Sequence, residues 1–181
     1  MSLPLYDDKQ DESLRFSKIC FIPSLKLSCF GCCGHHFADK ETLQKFFDEN
    51  KRELKKYLEE GKSYSDFMNR EHMLDSCGAC YSLIQEKQPE GHQAYVCAVH
   101  PLRVGGEDVR PGYCDFDYLC YSAALVNKMT DEEKALFYEF LKEKQFDAFE
   151  YSIINGQEKI LIKMYWEWKE ERAKKLKSKE K

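Results

Sequence analysis

Nine cysteines in 181 residues are the side chains of this sequence best equipped for chemistry. All but Cys20 lie between Cys29 and Cys120, in four groups: Cys29-Phe30-Gly31-Cys32-Cys33, Cys77-Gly78-Ala79-Cys80, Cys97 with His100 three residues on, and Cys114 with Cys120. C-x-x-C is the spacing at which a tight turn aims two thiolates at one ion. Four such groups from separated segments point to convergence on a metal or a cluster. Thiolates are soft donors that suit zinc or iron–sulfur clusters and not magnesium or calcium, so the expected cofactor is zinc or iron, an iron–sulfur cluster included. The candidate ligands are Cys29, Cys32, Cys33, Cys77, Cys80, Cys97, Cys114, Cys120 and His100. Neighbouring Cα atoms are about 3.8 Å apart, and successive side chains of extended backbone point to opposite sides. Of the adjacent Cys32 and Cys33, therefore, either one packs in the core or the pair serves two metals or two corners of a cluster. Cys20, away from the groups, is expected to be a core thiol.

The run from Cys29 to Cys120 resembles the YkgJ-type cysteine-cluster family, described as a zinc- or iron-chelating domain. Its hallmark is C-x-x-C-x-x-C-C, followed by C-x-x-L and by a cysteine preceding R-P-x-x-C. Cys29-x-x-Cys32-Cys33 matches the end of the hallmark, Cys80-Tyr81-Ser82-Leu83 the second element, Cys97-Ala98-Val99-His100-Pro101 the next, and Arg110-Pro111-Gly112-Tyr113-Cys114 the last. The first cysteine of the hallmark falls on Lys26, extra residues including VGGEDV separate Cys97 from Arg110, and Cys77 and Cys120 are additions, so a divergent relative is expected. The resemblance implies metal chelation. In members linked to flagellin lysine methylation it implies a protein-modifying enzyme, which is the alternative function, while no methyl-donor site is visible in the sequence.

Other chemistries have less support. Cys77-x-x-Cys80 has the spacing of a redox dithiol, but it follows a helix and lies in no βαβ pattern, so a thiol-redox protein is a second alternative. His35 and His36 sit beside the first cysteines, where a solvated loop histidine is the commoner role. Arg103 and Arg110 flank a glycine loop and could bind an anion, although loop arginines more often form ion pairs. Beyond Trp168 there are seven Lys or Arg against three Glu. That excess lacks interleaved aromatics in a chain of net charge -4, so nucleic acid is disfavoured and a protein partner stays open. No phosphate-loop, dinucleotide or H-E-x-x-H motif is present.

Elements must position these groups. Hydrophobic residues make up 43% of the chain, enough to bury a core without staples, and no apolar run approaches the roughly 20 residues that span a bilayer. The acidic start has no basic or apolar leader pattern, which makes the cytoplasm the expected location. The expectation is an α+β chain, mostly helical, with a small β-hairpin and loops organised around a cysteine-ligated metal site. Residues 1–28 form an N-terminal arm, 29–127 the cysteine region and 128–181 the C-terminal helices of one compact unit. Asp39 caps a helix whose face is Leu43, Phe46, Phe47, Leu54, Tyr57 and Leu58, stopped by Gly61. A second helix runs from Ser65 to about Leu74. Residues 80–85 and 94–99 pair as a hairpin around Pro89 and Gly91. Residues 115–127 are helical, and Thr130 with Glu133 caps the next helix. Asn155-Gly156 can close a hairpin or stop a helix, and the spacing of Ile160, Leu161, Met164, Tyr165 and Trp168 favours the helix.

Overall fold

A computed structural model describes residues 17–71, 77–88, 91–106, 108–115 and 118–179. Among these are seven α-helices and two antiparallel hairpins, the α+β class expected. Of the stretch read as an arm, residues 1–16 lie outside the described residues, and the rest carries the first hairpin. After a 3-10 turn at Lys18–Cys20, β1 (Phe21–Ile22) pairs with β2 (Leu27–Ser28) in the register Phe21↔Ser28. Pro23 opens the 3-10 turn between them, and Lys26, left-handed at φ 57°, turns the chain back.

Helix α1 (Lys40–Glu59) starts where Asp39 accepts from Thr42 N and buries Leu43, Phe47, Asn50 and Leu54. The one polar member of that face is spent on the second hairpin, with Asn50 Nδ2 donating to Leu83 O at 2.9 Å. The expected second helix is shorter. α2 (Tyr64–Met68) begins at a reciprocal Ser63–Asp66 cap and has ended by Asn69, and the part expected over 72–74 lies outside the described residues. β3 (Leu83–Lys87) and β4 (Gln93–Cys97) form the expected hairpin, in register Leu83↔Cys97.

After the short α3 (Pro101–Val104), the helix expected from residue 115 starts later, as α4 (Tyr121–Lys128). Tyr118 N turns back to Asp115 O at 3.0 Å, and an extended Cys120 is the N-cap. α5 (Asp131–Lys144) starts at the Thr130–Glu133 capping box. α6 (Ala148–Gly156) and α7 (Ile160–Lys179) follow, so Asn155-Gly156 ends a helix and closes no hairpin.

Buried side chains gather in three apolar clusters. One joins Ile19, Leu27 and Cys120 to Phe137, Phe140, Tyr151 and Tyr165. Another holds Leu54, Phe67, Ile84 and Val96, and the last holds Phe30, Leu43, Phe47, Cys77, Leu83 and Tyr95. Among the described residues no helix is long and apolar enough to cross a membrane.

Candidate metal centre

The cysteine loop Cys29–Cys33 is fixed by its least reactive members. Phe30 is fully buried, edge-on to Phe37, Phe47 and Tyr95 at 4.9–5.4 Å between centroids. Gly31 lies so close to α6 that a Cβ would stand 2.4 Å from Ser152 O and 2.6 Å from Gly156 N. That contact explains Gly156 better than any turn does. Three other side chains of α6 hold the same region: Tyr151 Oη donates to Ile19 O at 2.8 Å, Ser152 Oγ accepts from Phe30 N at 3.2 Å, and Asn155 Nδ2 donates to Cys29 Sγ at 3.2 Å.

Two single backbone hydrogen bonds each bring a pair of cysteines beside one another. One step beyond Phe21↔Ser28, Cys29 N donates to Cys20 O at 2.9 Å. One step beyond an isolated bridge at Gly34↔Ala79, Cys80 N donates to Cys33 O at 2.8 Å. The second approach requires glycine, since Gly78 has φ +76° and a Cβ on it would meet His35 O at 2.2 Å. Cys97 reaches the second pair through the β3–β4 ladder, because Leu83 pairs with Cys97 while Leu83 N donates to Cys80 O at 3.0 Å.

Several of these sulfurs accept hydrogen bonds that favour their ionised form. Gly31 N donates to Cys29 Sγ at 3.3 Å and Ser82 N to Cys80 Sγ at 3.5 Å, in each case from two residues on. Val99 N–H acts likewise on Cys97, and Ala123, Ser122 and the Asn155 amide on Cys120. Burial works the other way. It pushes Cys29 and Cys97 up to about 12 and Cys120 up to about 11. The Cys33 thiol donates to Cys32, which lowers Cys32 below the ordinary thiol range and raises Cys33. Desolvation of Cys32 opposes this but is the smaller effect, although the residue as a whole counts as exposed.

The thiols also feel one another. Charge on Cys32, Cys29 and Cys120 raises Cys20, and charge on Cys80 and Cys97 raises Cys33. Cys80 raises both Cys97 and Cys114. Cys32 raises Cys29, Cys80 and Cys120. The cations divide unevenly: Arg110 favours the thiolates of Cys97 and Cys114, and Arg70 that of Cys80. Arg110 itself is buried and held by Asp108 through two bonds of 2.8 and 2.6 Å, so the ion pair expected of a loop arginine is what forms. Arg103 donates to Cys97 O at 2.8 Å.

Eight of the nine cysteines thus each feel, or exert, charge on at least one other, and Cys20, half-buried and expected to be a core thiol, is among them beside Cys29. Its signal in the sequence was the spacing of nine residues to Cys29, which becomes informative only once a hairpin between them is recognised. Asn155 was likewise missed, since its helix was read for apolar spacing alone. Cys77 is fully buried with Phe30, Leu43 and Phe47, despite its C-x-x-C spacing to Cys80. His100 Nδ1 accepts from Leu102 N at 3.2 Å, capping α3. Burial, with Arg110 and Arg103 adding, pushes its pKa down to about 3. His35 and His36 lie on the far side of Gly34 from the cysteine loop, their carbonyls against Gly78.

The donors are chemically of the kind thiophilic metals take, soft sulfurs of which several carry amide N–H groups, but their arrangement does not by itself make a site. Among the described residues, no three His, Cys, Asp or Glu side chains are gathered tightly enough to hold one metal ion. Comparisons with protein-family models, characterised proteins and solved structures find no match.

Proposed function

We propose that this chain is a metal-binding protein whose cysteines chelate zinc or an iron–sulfur centre. The observation that carries the reading is that backbone contacts bring cysteines from separated stretches beside one another: Cys29 N on Cys20 O at 2.9 Å, Cys80 N on Cys33 O at 2.8 Å, and the N of Leu83, the partner of Cys97, on Cys80 O at 3.0 Å. Neutral thiols crowded in this way gain nothing from burial that an apolar side chain would not supply better. Bound to a soft cation, their repulsion becomes ligation and their protons are released. Cys29, Cys32, Cys33, Cys80, Cys97, Cys114 and Cys120 would hold the metal, which would tie the first hairpin, the second hairpin and the Arg110 loop together. The order of motifs resembling the YkgJ-type family supports the same reading.

Elemental analysis and an optical spectrum of anaerobically purified protein test it. Bound zinc, or iron with broad visible absorption, is the expected result. Folded protein that is free of both and takes up neither overturns the proposal.

A thiol-redox role draws on one observation, the lowered Cys32 with Cys33 donating to it. Rapid alkylation of Cys32 alone in freshly purified protein would favour it, and protection of all the gathered thiols until a chelator is added would count against it.

A further inference from the structure

We propose that the projecting end of α7, over residues 172–179, docks an acidic amphipathic helix of a partner protein, one that sets carboxylates four residues apart beside an apolar side chain. The proposal goes beyond the metal-binding reading and does not depend on it.

The helix itself shows how it takes a neighbour. Leu161, Tyr165, Trp168 and Arg172 form one row along α7, spaced by three and four residues, and the first three are buried. α5 meets that row with Glu139, Phe140 and Glu143. The Phe140 ring lies 5.6 Å from that of Tyr165 and 5.8 Å from that of Trp168, Trp168 Nε1 donates to Glu143 at 2.7 Å, and Arg172 pairs with both carboxylates. Carboxylates at i and i+4 stand on one helix face, here with a phenylalanine beside them.

α5 ends at Lys144, level with Arg172, and α7 runs on. Leu176 is the next member of the row, four residues beyond Arg172, and at 58% it is the most exposed large apolar side chain among the described residues. Residues 173–178 are all exposed. Arg172, Lys174, Lys175 and Lys177 stand there with no acid between them, and none of the three lysines has an ion pair among the described residues. Arg172 with Lys175, and Lys174 with Lys177, are like charges three residues apart, which weakens a helix standing alone. An apolar row that outruns its neighbour amid such lysines is completed by a second helix of the α5 kind. Charge speaks against two other occupants. A second α7 would set cations against cations, and an anionic lipid sheet would meet Glu167 and Glu170, exposed shortly before the projecting turns. Nucleic acid would engage the lysines and make no use of Leu176.

Fluorescence anisotropy of a labelled helical peptide of Glu-Leu-Ala-Ala-Glu repeats, titrated with the full chain at physiological salt, tests the proposal. Saturable binding is expected. Leu176→Ala should weaken it roughly tenfold, and so should Ala in place of Leu in the peptide, about the worth of one buried leucine. Lys174→Glu combined with Lys177→Glu should abolish it, while Trp166→Ala, outside the row, should leave it unchanged. All these side chains are exposed, so each variant should keep its helical circular dichroism. Absence of binding by the wild-type chain overturns the proposal, as does equal binding by Leu176→Ala or by the leucine-free peptide, which leaves charge alone. Tighter binding to phosphatidylserine vesicles or to duplex DNA than to the peptide overturns it by assigning the surface to lipid or to nucleic acid. Wild-type dimers that Leu176→Ala dissolves overturn it by assigning the surface to a second copy of this chain.

Discussion

Around Cys20, Cys29 and Cys120 the surroundings are apolar: Cys120 belongs to the cluster of Ile19, Leu27, Phe137 and Tyr151, and the help offered to a thiolate comes from backbone amides and the neutral Asn155. Around Cys80, Cys97 and Cys114 stand Arg70 and Arg110, and Cys114 is exposed. Both regions use the same device, two cysteines joined by one backbone hydrogen bond. They differ in who balances the charge. Four thiolates outweigh a divalent ion, and the surplus is costly in an apolar core unless donors or cations offset it. A metal held by the first region would therefore sit in the core, and one held by the second in a charged, more open loop, so loss of a thiol from the first should cost more stability and loss of an arginine from the second should change its thiols most.

The comparison breaks most completely at the glycines that let each region form. Gly31→Ala would set a Cβ against backbone of α6, and Gly78→Ala would strain a left-handed residue against His35 O. Each should cost roughly 3 kcal/mol or more. Thermal melts should show both losses, with metal content falling first from the region that carries the substitution. Next in size is a contrast between ligands. Cys120→Ser, in the core, should lower the Tm further than Cys114→Ser, at the surface, and equal shifts would erase the distinction drawn here.

A smaller effect separates the donors. Asn155→Leu keeps the size of a buried side chain and removes its N–H from Cys29, while Arg110→Gln removes the charge beside Cys97 and Cys114. Loss of such outer partners weakens metal affinity by about 10–100-fold. Competition with a coloured chelator should show both losses in the metal-loaded protein, and only the arginine effect should depend on salt.

A contrast of a different kind is a pH dependence at His100. His100 titrates near 3 in the folded chain and near the ordinary 6.5 when unfolded. The unfolded state therefore binds the extra proton between those values, and stability falls as pH drops through that window. His100→Asn can keep the cap on Leu102 N and should flatten this part of the urea-midpoint profile. An unchanged acid slope would remove His100 from the account.

Much of the scaffold was legible in the sequence. Asp39, Thr130 and the long periodic faces of α1, α5 and α7 fixed those helices, because caps and 3.6-residue spacing act within one element. The hairpin of β3 and β4 followed from its own turn residues. The first hairpin escaped because its strands have two residues each, too few for any alternation. α4 was placed too early because Cys120 looked like a member of an apolar face and is in fact the cap.

The sequence by itself determined the chemistry available: nine soft thiols, their C-x-x-C and R-P-x-x-C spacings, and no competing motif. It also posed the problem of Cys32 beside Cys33, since the opposed directions of neighbouring side chains follow from local geometry. Tertiary structure alone decided which thiols meet. Cys20 faces Cys29, Cys33 faces Cys80 and Cys77 is sealed in an apolar cluster, and each outcome rests on strand register and on close contacts such as Gly31 with Gly156, 125 positions apart in the chain. Spacing along a chain carries the direction of a side chain for a turn or two. Which distant residue waits in that direction is settled by packing.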